Sequence, residues 1–283
     1  MILEKVKAIL VEELDVEEDA ITLDSKIKDD LGADSLDLFE LISKIDLNAY
    51  KRPQMERRIN SFMRSVNSPD YISFINTLKT EKDIYQNFVE HITINVSEFF
   101  RNPNHWQVLE NKIIPLLAKK NSLKVWSAGC STGEEPYSLA MLLQEKRINL
   151  AERILATDID KEVLRKAALG LYQEKNIQGV PAKYLSRYFL KEDNNFRVSN
   201  EIKNMIKFQH HDLLKDMIPR DYDLILCRNV VIYFTEETKE KLYKKFASGL
   251  KSKGVLFIGS TEQIFQAKEL GLKSIATFFY QKE

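Results

Sequence analysis

Five short apolar runs, at residues 123–128, 153–157, 205–209, 222–227 and 254–259, alternate with stretches whose apolar residues recur at helical spacing. Strands of this kind, read as near-continuous apolar segments separated by helices, imply a parallel sheet covered on both faces. Such a sheet leaves little choice about where chemistry goes: ligands lie beyond the carboxyl ends of the strands, close to the point where strand order reverses. The residues that end each run therefore matter most.

The first run ends in the small-residue turn Gly129-Cys-Ser-Thr-Gly133, and a helix opens at Glu134-Glu135-Pro136, where proline suits a first turn. The second ends in Asp158-Ile-Asp160, and a carboxylate there can accept hydrogen bonds from two ribose hydroxyls. The turn has neither the G-x-G-x-x-G spacing nor a Gly-Lys-Ser/Thr, so a nucleoside without phosphates fits better than a pyrophosphate or a nucleoside triphosphate. The fourth run continues into Arg228-Asn229-Val-Val-Ile-Tyr233-Phe234, which sends a cation, an amide and a phenol to the same place. Ahead of the sheet, Asn95-Val-Ser97-Glu-Phe-Phe-Arg101 adds a second amide, a hydroxyl and a guanidinium. Taken alone, that segment reads equally as a capped helix with a surface arginine; two such clusters in one chain favour a shared site.

The chain has 283 residues, 44% of them hydrophobic and 30% charged, which suits one large or two medium globular domains. Its 42 basic and 42 acidic residues cancel, but unevenly: through Leu41 there are 13 acidic residues against 4 basic ones, a balance of −9, and the remainder carries +9. A boundary near residue 42 follows. No apolar run reaches the ~20 residues that span a bilayer, and the opening MILEKVKAILVEEL lacks the layout of a signal peptide. A cytoplasmic protein with no direct membrane insertion and no nucleic-acid partner is expected. Two cysteines, Cys130 and Cys227, are too few for a disulfide framework or a metal site, so no metal is expected and both read as small buried residues.

Residues 51–64 form a predicted helix with Met55, Ile59, Phe62 and Met63 on its apolar side and Lys51, Arg52, Arg57, Arg58 and Arg64 on the other. The basic side is either a solvated face or a docking surface for an acidic partner. Helices continue through residues 68–120, with Ser68-Pro69-Asp70 as a start signal and a break around Arg101-Asn102-Pro103-Asn104. A polar insertion fills residues 170–204.

The blocks Asn95-Val-Ser-Glu-Phe-Phe-Arg101, Trp126-Ser-Ala-Gly-Cys-Ser-Thr-Gly-Glu-Glu-Pro-Tyr-Ser138, Ala156-Thr-Asp-Ile-Asp160, Gly170-Leu-Tyr172 and Cys227-Arg-Asn-Val-Val-Ile-Tyr-Phe234 resemble, in order and separation, those of the CheR family of chemotaxis receptor methyltransferases. The resemblance covers about residues 44–283. It implies an α/β fold: a Rossmann-like class I S-adenosylmethionine-dependent methyltransferase with an N-terminal helical subdomain (44–120) and a methyltransferase domain (121–283) carrying a small inserted β-subdomain at about 170–204. Position by position it implies cofactor contacts from Asn95, Ser97, Arg101, Glu135, Asp158, Asp212, Leu213, Arg228 and Asn229, with Arg101 and Tyr233 as the catalytic pair. This chain departs from the family's usual residues at three places. Ser97 replaces Thr and keeps the hydroxyl, Asp212 stands where Asn is common, and Gly259-Ser-Thr-Glu262 stands for Gly-His-Ser-Glu, which removes any role of that histidine.

The resemblance further implies methyl transfer to glutamate carboxylates of chemotaxis receptors, forming methyl esters. A glutamate with a pKa of ~4.3 is already ionised at neutral pH, so the displacement needs no general base. Positioning and removal of water carry the catalysis. Because the receptors present their glutamates on an acidic helical bundle, the resemblance also favours the docking reading of the basic helix. Two other readings keep the fold but not the activity: an S-adenosylmethionine-binding sensor, and a carrier protein fused to a degenerate methyltransferase. A methyltransferase of small molecules is a third.

Residues 1–43 read as helix, acidic loop and helix, and Asp29-Asp-Leu-Gly-Ala-Asp-Ser-Leu-Asp-Leu-Phe-Glu-Leu41 resembles acyl carrier proteins, in which the serine corresponding to Ser35 bears phosphopantetheine. The resemblance stops near residue 43, before the later helices that close an acyl pocket. The segment is therefore expected to pack its apolar stripe on the helical subdomain and to leave Ser35 unmodified, which intact mass would check.

Overall fold

The computed structural model describes residues 39, 40 and 43–283. The expected helix, loop and helix of the first segment, and Ser35 within it, lie outside the described residues. The chain divides into two compact units, one ending at Ile92 and one beginning at Thr93.

In the first unit, α1 (Arg52–Ser65) and α2 (Tyr71–Thr80) start where expected, and α3 (Lys82–Thr93) follows within the stretch read as helical. Asp70 caps α2, accepting from the Ser73 amide at 2.8 Å, so the Ser-Pro-Asp signal ends where a side-chain oxygen satisfies an orphan N–H. Met55, Ile59, Phe62 and Met63 are buried, as the period of α1 requires. The core is aromatic: Phe74 and Phe88 meet edge to face at 5.3 Å, and Phe62 lies 5.5 Å from Phe88. Phe39, from the carrier-like stretch, is fully buried among them, 5.4 Å from Phe74 and 5.6 Å from Phe88. The Glu40 carboxylate next to it accepts from the Leu47 amide at 3.2 Å.

The basic side of α1 is narrower than its sequence suggests. Arg57 and Arg64 are exposed, but Arg52 pairs with Glu56 and Arg58 turns back to donate to the carbonyl of His91. Arg58 therefore ties α1 to the end of α3.

The second unit is built on a seven-stranded sheet. Its strands are β1 (Val125–Ala128), β2 (Ile154–Asp158), β6 (Ile206–His210), β7 (Tyr222–Cys227), β8 (Leu250–Ile258), β9 (Leu272–Ala276) and β10 (Phe279–Lys282), in the order β6-β2-β1-β7-β8-β10-β9. The first five in that order are parallel. Every residue of β1 and β7 is buried, which accounts for their unbroken apolar sequence. The helices α4 (Glu134–Glu145), α5 (Lys161–Leu169) and α6 (Glu236–Gly249) alternate with these strands.

The hairpin β9–β10 is an antiparallel addition that the sequence reading did not contain; the sheet is mixed rather than wholly parallel. Only Thr277 and Phe278 separate its strands, and Phe278 takes a left-handed φ of 68°. So short a link permits antiparallel pairing alone. The insertion holds its own three-stranded sheet, β3 (Leu171–Gln173), β5 (Asn195–Val198) and β4 (Phe189–Glu192) in that order, as expected for a β-subdomain. The helical segments between Pro103 and Leu117 bury Leu109, Ile113 and Leu117 in the same core as the sheet, so they belong to this unit, although their sequence groups them with the helices before. No described helix is long and apolar enough to cross a membrane.

Candidate functional site

The chain runs outward from β1 through β2 to β6, then crosses back to β7 and on to β8, so strand order reverses between β1 and β7. The crevice at their carboxyl ends is where a ligand of this sheet belongs.

The β1 turn is shaped by its neighbours. Gly129 has φ 74°, and a Cβ there would run into Val230 of the β7 loop; Gly133 has φ 96°, and its Cβ would stand 3.1 Å from the Tyr172 hydroxyl. The amides of Gly129 and Cys130 donate to the Thr157 carbonyl at 2.8 and 2.9 Å, binding the turn to the end of β2. Asp158 completes the link: its carboxylate accepts from the Ser131 amide at 2.8 Å and from the Asp160 amide at 3.1 Å. Burial lifts this carboxyl to about 6, although those amides favour the charged form.

Glu135, in the first turn of α4, bridges β1 and β7. It accepts from the Ser127 hydroxyl at 3.2 Å and from Arg228 Nη1 at 3.1 Å. Burial raises its carboxyl and the Arg228 charge pulls it back. Arg228 is buried, donates to the Arg101 carbonyl at 2.9 Å and to Asn102 Oδ1 at 3.2 Å, and lies 4.5 Å from the Phe257 ring centroid. Arg101 itself is half-buried and its charge acts on Glu135. Asn229 follows with φ 58°, and Tyr233, half-buried, ends the single helical turn Val231–Tyr233.

Glu135, Arg228 and Arg101 thus meet one another, Glu135 and Asp158 both act on Cys130, and Asn229 directly follows Arg228. Others act at one remove. The Asn95 amide donates to Asp160 Oδ2 at 2.9 Å, and the Ser97 hydroxyl bonds the Glu134 carboxylate. Asp212 is engaged locally, accepting from the Leu214 and Lys215 amides at 2.8 and 3.3 Å, with Leu213 buried beside it beyond β6. Two residues were missed by sequence reasoning. Asp160 caps α5 while holding Asn95, and Glu134 is buried between Thr132 and Ser97. Asp160 carried a readable signal, an acid directly before a helical run. Burial pushes the thiols of Cys130 and Cys227 upward, which leaves both as neutral packing groups.

The donor set decides the kind of ligand. A helix opening onto a crevice ordinarily attracts an anion, but α4 begins with Glu134 and Glu135, and Asp158 stands opposite. Phosphate is disfavoured; a nucleoside carrying cationic groups is matched. Beyond the amides of Ser131, Ile159 and Asp160, the Asp158 carboxylate keeps acceptor capacity for ribose hydroxyls. The residues present fit S-adenosylmethionine.

Strand order, crevice and carboxylates together define a class I S-adenosylmethionine-dependent methyltransferase. The family model described as CheR methyltransferase, SAM binding domain, matches residues 95–277, and that described as CheR methyltransferase, all-alpha domain, matches residues 35–93. The chain belongs to the CheR methyltransferase family, and its cofactor is S-adenosylmethionine. A chemotaxis protein methyltransferase of Listeria innocua is 40% identical over 270 residues, covering 95% of this chain and 98% of that one. One from Escherichia coli K12 is 33% identical, covering 77% and 79%. A third model, phosphopantetheine attachment site, matches residues 4–46 and so overlaps the all-alpha match.

Proposed function

We propose that this methyltransferase esterifies glutamate side chains of chemotaxis receptors, in the cytoplasm, as part of sensory adaptation. The cofactor supplies an electrophilic methyl group on a sulfonium. Asp158 binds the ribose hydroxyls, and Glu135 and Asn229 hold the amino-acid end. Asn95, Ser97, Asp212 and Leu213 complete the pocket, the first two through Asp160 and Glu134. The half-buried Arg101 cation orients the acceptor carboxylate with Tyr233 beside it. The acceptor arrives ionised, so no residue need remove a proton; the protein's part is alignment and exclusion of water.

The observation that carries this reading is the half-buried Arg101: its carbonyl accepts from Arg228 and from Trp106 Nε1, while its guanidinium donates to the Val96 carbonyl at 3.5 Å and its charge reaches Glu135. An anionic acceptor is the group such a cation selects. The relatives, chemotaxis protein methyltransferases matched across nearly the whole chain, support the same substrate. Lys51, Arg57 and Arg64 of the helical unit, which ends at Ile92 rather than at residue 120, dock the acidic receptor bundle. The carrier-like segment, which shares residues 35–46 with the helical unit, lacks carrier activity, and the methyltransferase domain begins at Thr93 rather than at residue 121.

Labelled S-adenosylmethionine and receptor-containing membranes test the proposal. Transferred label should be base-labile and lost when the receptor glutamates are changed to alanine. Cofactor binding without transfer would overturn it.

A further inference from the structure

Glu262 lies outside every contact considered so far, yet its carboxylate is buried, at 4% exposure, beside the loop that follows β7. Its Oε2 accepts from the Gly259 amide at 2.5 Å and its Oε1 from the Val231 amide at 3.1 Å. The amides of Asn229 and Val230 also act on it as donors. One carboxylate thus gathers the backbone N–H groups of two loops, the end of β8 and residues 229–231. Its own amide closes the turn onto the Gly259 carbonyl at 3.1 Å.

The loop so held is the one that carries the site. Asn229 is in the left-handed region at φ 58°, which asparagine tolerates better than most side chains and which turns the chain sharply at this point. Val230 abuts Gly129 so closely that no side chain fits there, which couples the loop to the β1 turn. Gly259 shows the same tightness from the other side: a Cβ would stand 2.6 Å from the Asn229 amide nitrogen and 2.7 Å from Glu262 Oε2. We infer that Glu262 is a positioning residue for cofactor binding, an anionic clamp whose carboxylate fixes the Arg228–Val231 backbone so that Asn229 faces the cofactor. Glutamine cannot replace it. One of its two oxygens becomes an NH₂ that meets an N–H donor, and a buried donor is left unsatisfied.

This inference rests on the proposed role of Asn229, and the test separates the two. S-adenosylhomocysteine binding is measured by calorimetry at a temperature well below the Tm of each protein, alongside thermal unfolding. Wild type should bind, whereas Glu262→Gln should bind at least tenfold more weakly while still folded, and Glu262→Asp should recover part of the loss. If wild type binds and Glu262→Gln binds equally well, with only its Tm lowered, the residue is structural and the inference fails. If wild type binds and Asn229→Ala binds equally well, the role assigned to Asn229 fails instead. Should Glu262→Gln not fold, Gly259→Ala decides: it presses on the same loop and should give the same tenfold loss, and unaltered affinity would overturn the clamp.

Discussion

Asp158 gives the site a pH dependence that can be worked out in advance. Its carboxyl is lifted from 3.8 to about 6 by burial, a shift of about 2 units, or about 3 kcal/mol at ~1.36 kcal/mol per unit. The folded state therefore keeps a proton that the unfolded chain has already lost. This group's contribution to stability is complete below 3.8 and disappears as pH rises through about 6. Binding runs the other way, because two ribose hydroxyls donate to the ionised form and compete with the proton. With an apoprotein pKa of about 6, affinity should be half its plateau at pH 6 and about elevenfold weaker at pH 5, with little change above pH 7. S-adenosylhomocysteine titrations across that range, in buffers of different ionisation enthalpy, measure both the affinity and the proton released. Asp158→Asn should bind more weakly at neutral pH and lose most of the dependence. A wild-type affinity independent of pH from 5 to 7, or a profile unaltered in Asp158→Asn, would refute the assignment.

Three further outcomes are expected. Phe39→Ala should destabilise the protein by about 3–5 kcal/mol through loss of packing in the aromatic core, read from the midpoint of denaturant unfolding. Arg228→Met strands the Glu135 carboxylate without its buried partner, so a loss of about 3–5 kcal/mol should accompany weaker cofactor binding, both measurable on the purified protein. Exposed ion pairs are worth about 0.2–1 kcal/mol each, so reversing both Arg57 and Arg64 to Glu should raise the receptor KM roughly fivefold or more without altering cofactor affinity. An unchanged KM, or one insensitive to salt, would remove the docking role of α1.

How far the sequence reveals this protein depends on how local each signal is. β1 and β7 were legible because strands buried on both faces show as unbroken apolar runs, Val125 to Ala128 and Tyr222 to Cys227. β9, with Lys273 and Ser274 exposed in an edge strand, carries no such run, and so the hairpin escaped notice. Glu135, Asp158 and Arg228 were legible as polar residues placed where strands end. The partnerships of Asn95 with Asp160, Ser97 with Glu134 and Glu262 with the β7 loop were not. Each joins residues whose proximity exists only after folding, as does the contact that takes Arg58 from the basic side of α1 to a carbonyl 33 residues away.

The burial of Phe39 has a bearing on ancestry. Residues 35–46 satisfy two family descriptions at once, and a side chain from that stretch sits at the centre of the helical unit's core. Two modules joined end to end would meet at a spacer, and either could be cut away there. Here the seam passes through a piece of sequence that both lineages claim and that one of them uses as a keystone. A deletion ending at residue 43 would remove no appendage; it would take a stone from the methyltransferase's own arch.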